Sequence, residues 1–200
     1  MPPSPIATST IVAQAWRFME LSPISSFADD TEQARSATEQ YPNALRECLA
    51  RADWSFASTI ANLPEATLPP TVAEDPELAY FYQVPGDLVR LLEVGEPGTL
   101  WRRDRDGLRA DAPAPLRIRY TAEVTNEAIL PAAFQTAVAL RLATLLGPRW
   151  LGTATKLREL DRRFEMELAQ AKKQDSRSAS GARYDNDLAD SGDWSQSATW

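Results

Sequence analysis

The chain has no histidine and a single cysteine. Without imidazole there is no Ser-His-Asp triad, no Cys-His pair and no histidine metal ligand, so the commonest side chain for acid–base work near neutral pH is missing. One cysteine forms neither an internal disulfide nor a thiolate zinc site. Lysine is scarce as well: Lys156, Lys172 and Lys173 are the three lysines among 21 basic residues. No apolar run approaches the ~20 residues that span a bilayer. The first residues, MPPSPIATST, have neither the charged start nor the apolar stretch of a secretory signal. The expectation is a soluble protein made in the cytosol, with no membrane partner.

The 200 residues are 44% hydrophobic and 24% charged, near the average of globular domains, which suggests one core plus arms. Their net charge of -7, from 28 acidic against 21 basic residues, opposes a free-standing duplex-DNA binder, whose affinity comes from cations neutralising phosphates.

Pro2, Pro3 and Pro5 make residues 1–8 read as an extended arm. From Thr10 the period is helical, with Ile11, Ala15 and Phe18 on one face until LSPISS stops it. Asp29 or Asp30 offers the cap of a second helix, with Glu32 in its first turn. That helix is either broken or restarted at Pro42, and its apolar stripe is Leu45, Cys48, Leu49, Ala52 and Phe56. A proline-rich loop follows from Leu63 to Pro76.

Short β-branched and aromatic segments then occupy about 78–122, including YFYQV, LVRLLEV, TLWRR and LRIRYTAEV. Asp106-Gly107 signals a hairpin through residues that tolerate positive φ. Helical period returns at Phe134, Val138, Leu142 and Leu145, ending at Gly147-Pro148. A last helix spans about Thr153 to Lys173. The expected fold is mainly α: a helical bundle over 9–173 with a small antiparallel β insertion, and extended N- and C-terminal arms.

Residues 174–200 are too polar to offset their ordering entropy, so the reading is a flexible arm. Its Tyr184, Leu188, Trp194 and Trp200 have two readings, a docking arm or an unselected tail. Asp185 to Asp190 begins like a calcium loop, but Ala189 leaves a ligand position empty. GTATK, ending at Lys156, lacks the spacing of a phosphate loop. Cys48 is read as buried packing, Asp29 and Asp30 as caps rather than a carboxylate pair, and Trp16, Trp54, Phe56 and Phe134 as core. No catalytic, metal or cofactor site is expected. Arg102, Arg103, Arg105, Arg109, Arg117 and Arg119 outnumber Asp104, Asp106 and Asp111 in the β region. They form either a solvated face or a surface for an acidic partner or DNA, and on a strand Arg117 and Arg119 oppose Ile118 and Tyr120.

The motif order goes further: AWRFMEL, FADDTEQA, YPNALRECLARADWSFA, YFYQVPGDLVRLLEV, IRYTAEV, then LPAAFQTAVALRLATLL. Over residues 8–173 this series resembles the head-to-tail connector or adaptor proteins of tailed bacteriophages and gene transfer agents, the tail tubular protein A-like group. Its most specific parts are Trp54, Phe56, the run Tyr80, Tyr82, Pro85, Asp87 and Arg90, then Tyr120 and the helix carrying Phe134. The family often has a polar amide where Ser55 stands.

The resemblance implies an antiparallel helix bundle with a small β element. It implies a structural, non-enzymatic subunit of a homo-oligomeric ring, twelve copies in the family, beneath the portal protein. The ring extends the DNA channel, without sequence-specific binding, and provides the attachment surface for tail or stopper proteins. Its place is the head–tail junction of a virion or phage-like particle assembled in the bacterial cytoplasm, with the C-terminal segment embracing the portal. The alternative reading is a nucleic-acid-associated protein using Arg102, Arg103, Arg105, Arg117 and Arg119.

Overall fold

A computed structural model describes residues 9–24, 26, 28–69 and 73–178. Within them the helices are α1 (Thr10–Phe18), α2 (Glu32–Ala50), α3 (Ala132–Trp150) and α4 (Ala154–Ser178). The strands are β1 (Ser58–Leu63), β2 (Tyr80–Tyr82), β3 (Leu88–Val94), β4 (Trp101–Arg103), β5 (Leu108–Ala110) and β6 (Leu116–Ala122). They form two three-stranded antiparallel sheets, ordered β1-β6-β3 and β2-β5-β4. This corrects the expected mainly helical bundle with a small β insertion: the fold is mixed α/β. The strands also begin at Ser58, well before 78. Six residues of β1 follow directly on a helical apolar stripe, and the four-residue step from Ala52 to Phe56 conceals the change.

Helix α3 is the hub. Phe134, Ala137, Val138, Ala139, Leu140, Leu142, Ala143, Leu146 and Gly147 are all buried, so apolar residues surround the axis instead of forming one stripe. The other three helices pack on it. Gly147 lies in this buried set, where an added Cβ would come within 2.6 Å of Leu157 on α4. The helix therefore does not stop at Gly147-Pro148 as expected. It passes an exposed Pro148 and ends at Leu151, whose N–H reaches the Gly147 carbonyl at 2.8 Å. Pro42 is likewise inside a continuous α2 on its exposed side, where water can serve the carbonyl left without a helical donor. The cap of α2 is Thr31, whose hydroxyl accepts the Ala34 N–H at 3.1 Å; Asp29 instead accepts from the Ser26 N–H and Asp30 pairs with Arg35.

The end of α2 is set by Trp54. Its indole N–H donates to the Cys48 carbonyl at 3.0 Å, satisfying one of the last helical acceptors. A single 3-10 turn, Ser55–Ala57, then leads into β1. Ser55 donates twice to Asp175 near the end of α4, from its N–H at 2.8 Å and its hydroxyl at 2.6 Å. Asp175 is 9% exposed. Helix α4 thus runs past 173, and residues 174–178 belong to the folded body.

Both sheets share a second core of Leu63, Tyr82, Leu88, Leu108, Leu116, Ile118 and Tyr120. Val89 of β3 also packs on the helical core, joining the two. The β4–β5 hairpin forms where Asp106-Gly107 was expected to turn the chain, but its reason differs. Gly107 does not have positive φ; a Cβ there would lie 2.5 Å from the Tyr82 carbonyl oxygen and 2.6 Å from the Phe81 ring. Close approach, not handedness, requires glycine.

Glu127 ties three segments together. It accepts from the Ser9 hydroxyl, which also caps α1 at the Val12 N–H, from Thr10 at 3.5 Å, and from the Tyr41 hydroxyl at 2.6 Å. Burial holds the Tyr41 phenol well above its ordinary value of 10.0, and the Glu127 carboxylate beside it adds to the shift. A raised folded-state value gives stability that is complete below about pH 10 and is lost as pH rises toward the folded value. Urea unfolding between pH 8 and 11 should show stability falling above pH 10, with a shallower fall in Tyr41→Phe. An identical slope in that variant would remove Tyr41 from the account.

Candidate partner-binding surfaces

The aromatic residues that carry the family resemblance divide between the two cores. Trp54, Phe56 and Phe134 form an aromatic triad in the helical core, with ring centroids 4.8 Å apart for Trp54–Phe134, 4.9 Å for Phe56–Phe134 and 5.7 Å for Trp54–Phe56. Such tilted and edge-to-face pairs add to the apolar burial of each ring. Tyr82 and Tyr120 lie in the sheet core, with Tyr80 packed beside them. The Tyr82 hydroxyl donates to the Ala112 carbonyl at 2.6 Å, and that of Tyr120 to Asp87 at 3.2 Å. Burial raises both phenols, so each stays a donor. Pro85 and Asp87 sit in the β2–β3 connection, where the Pro85 carbonyl accepts the Leu88 N–H. These residues shape cores and a turn; none is presented as a reactive group.

The arginines divide by environment. Arg109 is 3% exposed and donates to Asp104 at 3.1 Å and to the Ala73 carbonyl, pinning the loop before β2 onto the hairpin. Arg102 is exposed but pairs with Asp104 at 2.8 Å and Asp75 at 3.0 Å. Hydrogen bonding to Arg102 is the main cause that holds Asp104 below its ordinary value. Arg119 bridges Glu93 of β3 and Asp53, which follows α2, at 3.0 Å for the latter. Arg103, Arg105 and Arg117 are exposed and make no ion pair among the described residues. The sequence cluster is therefore mostly structural. Alternation on β6 does place Arg117 and Arg119 opposite the buried Ile118 and Tyr120. Arg103 shares edge strand β4 with Trp101, which is 45% exposed; Leu100, just before the strand, is 61% exposed, and Arg105 lies in the turn after it. An exposed aromatic ring and a guanidinium group on one edge strand are suited to contact another protein.

A feature missed in the sequence lies where α4 ends. A cavity of about 300 Å³ opens there, bounded by the aromatic triad, Ala133, Pro131 and the last turn of α4 with Gln174, Asp175 and Ser178. Its sequence signal is faint: Asp175 among polar neighbours, and Ser55 within an aromatic stretch.

Further back along α4, Phe164 lies beneath two guanidinium groups, Arg51 at 5.7 Å and Arg141 at 5.5 Å from the ring centroid. Both also hold Glu47, at 3.0 and 2.7 Å. Burial pushes Glu47 upward, but the hydrogen bonds from Arg141 and Arg51 outweigh it and lower the carboxyl below its ordinary value. Cys48 is fully buried and its thiol is pushed up to about 12 by desolvation, the wrong direction for a nucleophile. Among the described residues no group of three or more His, Cys, Asp or Glu could hold a metal ion, and no helix is long and apolar enough to cross a membrane. Tyr184, Leu188, Trp194 and Trp200, the Asp185–Asp190 segment and the 1–8 arm lie outside the described residues.

Neither a family model nor a curated protein matches the chain.

The division of the arginines is measurable. Arg109→Ala and Arg119→Ala should each lower the unfolding free energy by about 1–3 kcal/mol, the scale of hydrogen bonds to charged groups. Arg103→Ala, Arg105→Ala and Arg117→Ala should stay within about 0.5 kcal/mol of the parent. Urea titrations showing one common cost for all five would contradict the assignment.

Proposed function

We propose that the chain is a structural adaptor subunit that assembles as a ring beneath a portal, extends its DNA channel and offers the attachment surface for tail components. The observation that carries this reading is the ordered motif series from Trp54 to Phe134. Trp54, Phe56, Tyr80, Tyr82, Tyr120 and Phe134 all occupy packing positions of the two cores, as a resemblance in scaffold requires. Portal protein, tail or stopper proteins and further copies of the chain, twelve by family expectation, are its partners, at the head–tail junction of a virion or phage-like particle.

Physical features support a role in joining rather than catalysis. A ring subunit needs a rigid body with heterologous lateral contacts that close by rotation. The exposed Trp101 and Leu100, with Arg103 on the same edge, provide one surface of the right composition for such a contact. A net charge of -7 suits a conduit through which DNA moves without adhering. Residues 179–200 supply Tyr184, Leu188, Trp194 and Trp200 as large apolar groups for the portal surface, their ordering offset by burial on docking.

The test is addition of purified portal, followed by electron microscopy and a binding titration. A second ring should appear, and deletion of residues 179–200 should abolish it. The deletion must begin after Ser178, because a cut at 174 would remove Asp175 and disturb the folded body. Undiminished saturation of the portal by the truncated chain would overturn the docking-arm assignment.

The second reading, nucleic-acid association, draws on Arg103, Arg105 and Arg117, the members of the cluster without carboxylate partners among the described residues. It requires a duplex gel shift in low salt that weakens steeply as salt rises. No shift in low salt excludes it.

A further inference from the structure

The cavity at the end of α4 joins three properties. Its accessible apolar wall is the half-buried Phe56 ring with Pro131 and Ala133, backed by the buried Trp54 and Phe134, and its rim is polar, at Gln174 and Ser178. Its volume of about 300 Å³ lies at the lower limit of small-ligand pockets, the size for one aromatic group. Ser178, which lines it, is also the last described residue of α4, so the chain continues to residue 179 from the cavity's own edge.

We infer that this cavity receives an indole side chain, Trp194 or Trp200, from the same chain. These are the largest apolar groups in an otherwise polar segment, so they gain most by leaving water. An indole fits both parts of the site: its ring packs on the exposed side of Phe56 with Pro131 and Ala133, and its N–H has the polar rim as acceptor. Reach is no obstacle. At up to ~3.5 Å per residue, the stretch from Ser178 to Trp194 covers far more than the return path needs. Tethering raises the local concentration of the side chain to the millimolar range, so a contact too weak to hold separate molecules is still populated. A partner surface that takes up the same tryptophans must therefore compete with this internal site. The inference does not rest on the adaptor reading; each can fail without the other.

The experiment is an indole N–H nuclear magnetic resonance spectrum of the full chain labelled with 15N-tryptophan. Trp194→Phe and Trp200→Phe assign the two tail signals without touching the folded body. One tail signal should be displaced from its random-coil position by the neighbouring rings, at a shift independent of protein concentration. Ala133→Phe, which fills the cavity from a half-buried position on α3, should return that signal to random coil while the Trp16 and Trp150 signals stay in place. Random-coil positions for both tail signals in the parent overturn the inference. So does a displacement that survives Ala133→Phe, or one that grows with concentration, which would put a second copy's tail in the site.

Discussion

One buried carboxylate ties the handover from helix to sheet to the last described turns of α4. Asp175, on the last turns of α4, takes both donors of Ser55 at the handover from α2 to β1. A carboxylate hidden from water is costly unless its lone pairs are used, and here a backbone N–H and a hydroxyl use them. The N–H is equally in need of an acceptor, because the 3-10 turn that follows has no side-chain cap. Each group therefore fixes the other. The bond holds the Trp54–Phe56 segment against α4, which positions the triad with Phe134 and leaves the cavity beside it.

From that junction two cores extend. The helical one surrounds α3, whose small residues at Ala137, Ala139, Ala143 and Gly147 let neighbouring helices approach on all sides. The other is shared by the two sheets, with Val89 bridging them to the helices. Polar ties close the seams between segments: Glu127 among the start of α1, the middle of α2 and the approach to α3; Arg119 between β3 and the end of α2; Arg109 across the hairpin. With these groups committed to the scaffold, the exposed features among the described residues include the Trp101 edge with Arg103, the exposed Ile60, Ile129 and Met166, and the cavity at the end of α4.

The sequence makes the helices legible because their apolar stripes run for many residues, as at Ile11 to Phe18 and Leu157 to Ala171. It also shows the hairpin at Asp106-Gly107. It hides β1, because STIANL follows Phe56, which continues the helical stripe from Ala52, with no turn residue between. It misplaces the end of α3, because Gly147-Pro148 has the form of a stop while burial against Leu157 is the actual need for glycine. The arginine excess is visible as composition, but its division into buried, paired and unpaired side chains depends on which carboxylates the fold brings near. Asp175 is the most instructive case. Its neighbours Gln174, Ser176, Arg177 and Ser178 are exposed, and although position 175 continues the stripe of Phe164, Leu168 and Ala171, its charge makes it read as polar arm. Its partner is 120 positions away, a relation that no periodicity records.

Hydrogen exchange at the Ser55 amide measures this junction directly. In the parent chain that amide should be protected to a degree comparable with the core of α3, although it lies in a short turn at an exposed residue. In Asp175→Ala the protection should fall by at least an order of magnitude, with the α3 amides still slow. Free exchange of the Ser55 amide in the parent, or protection unchanged by Asp175→Ala, would contradict the account.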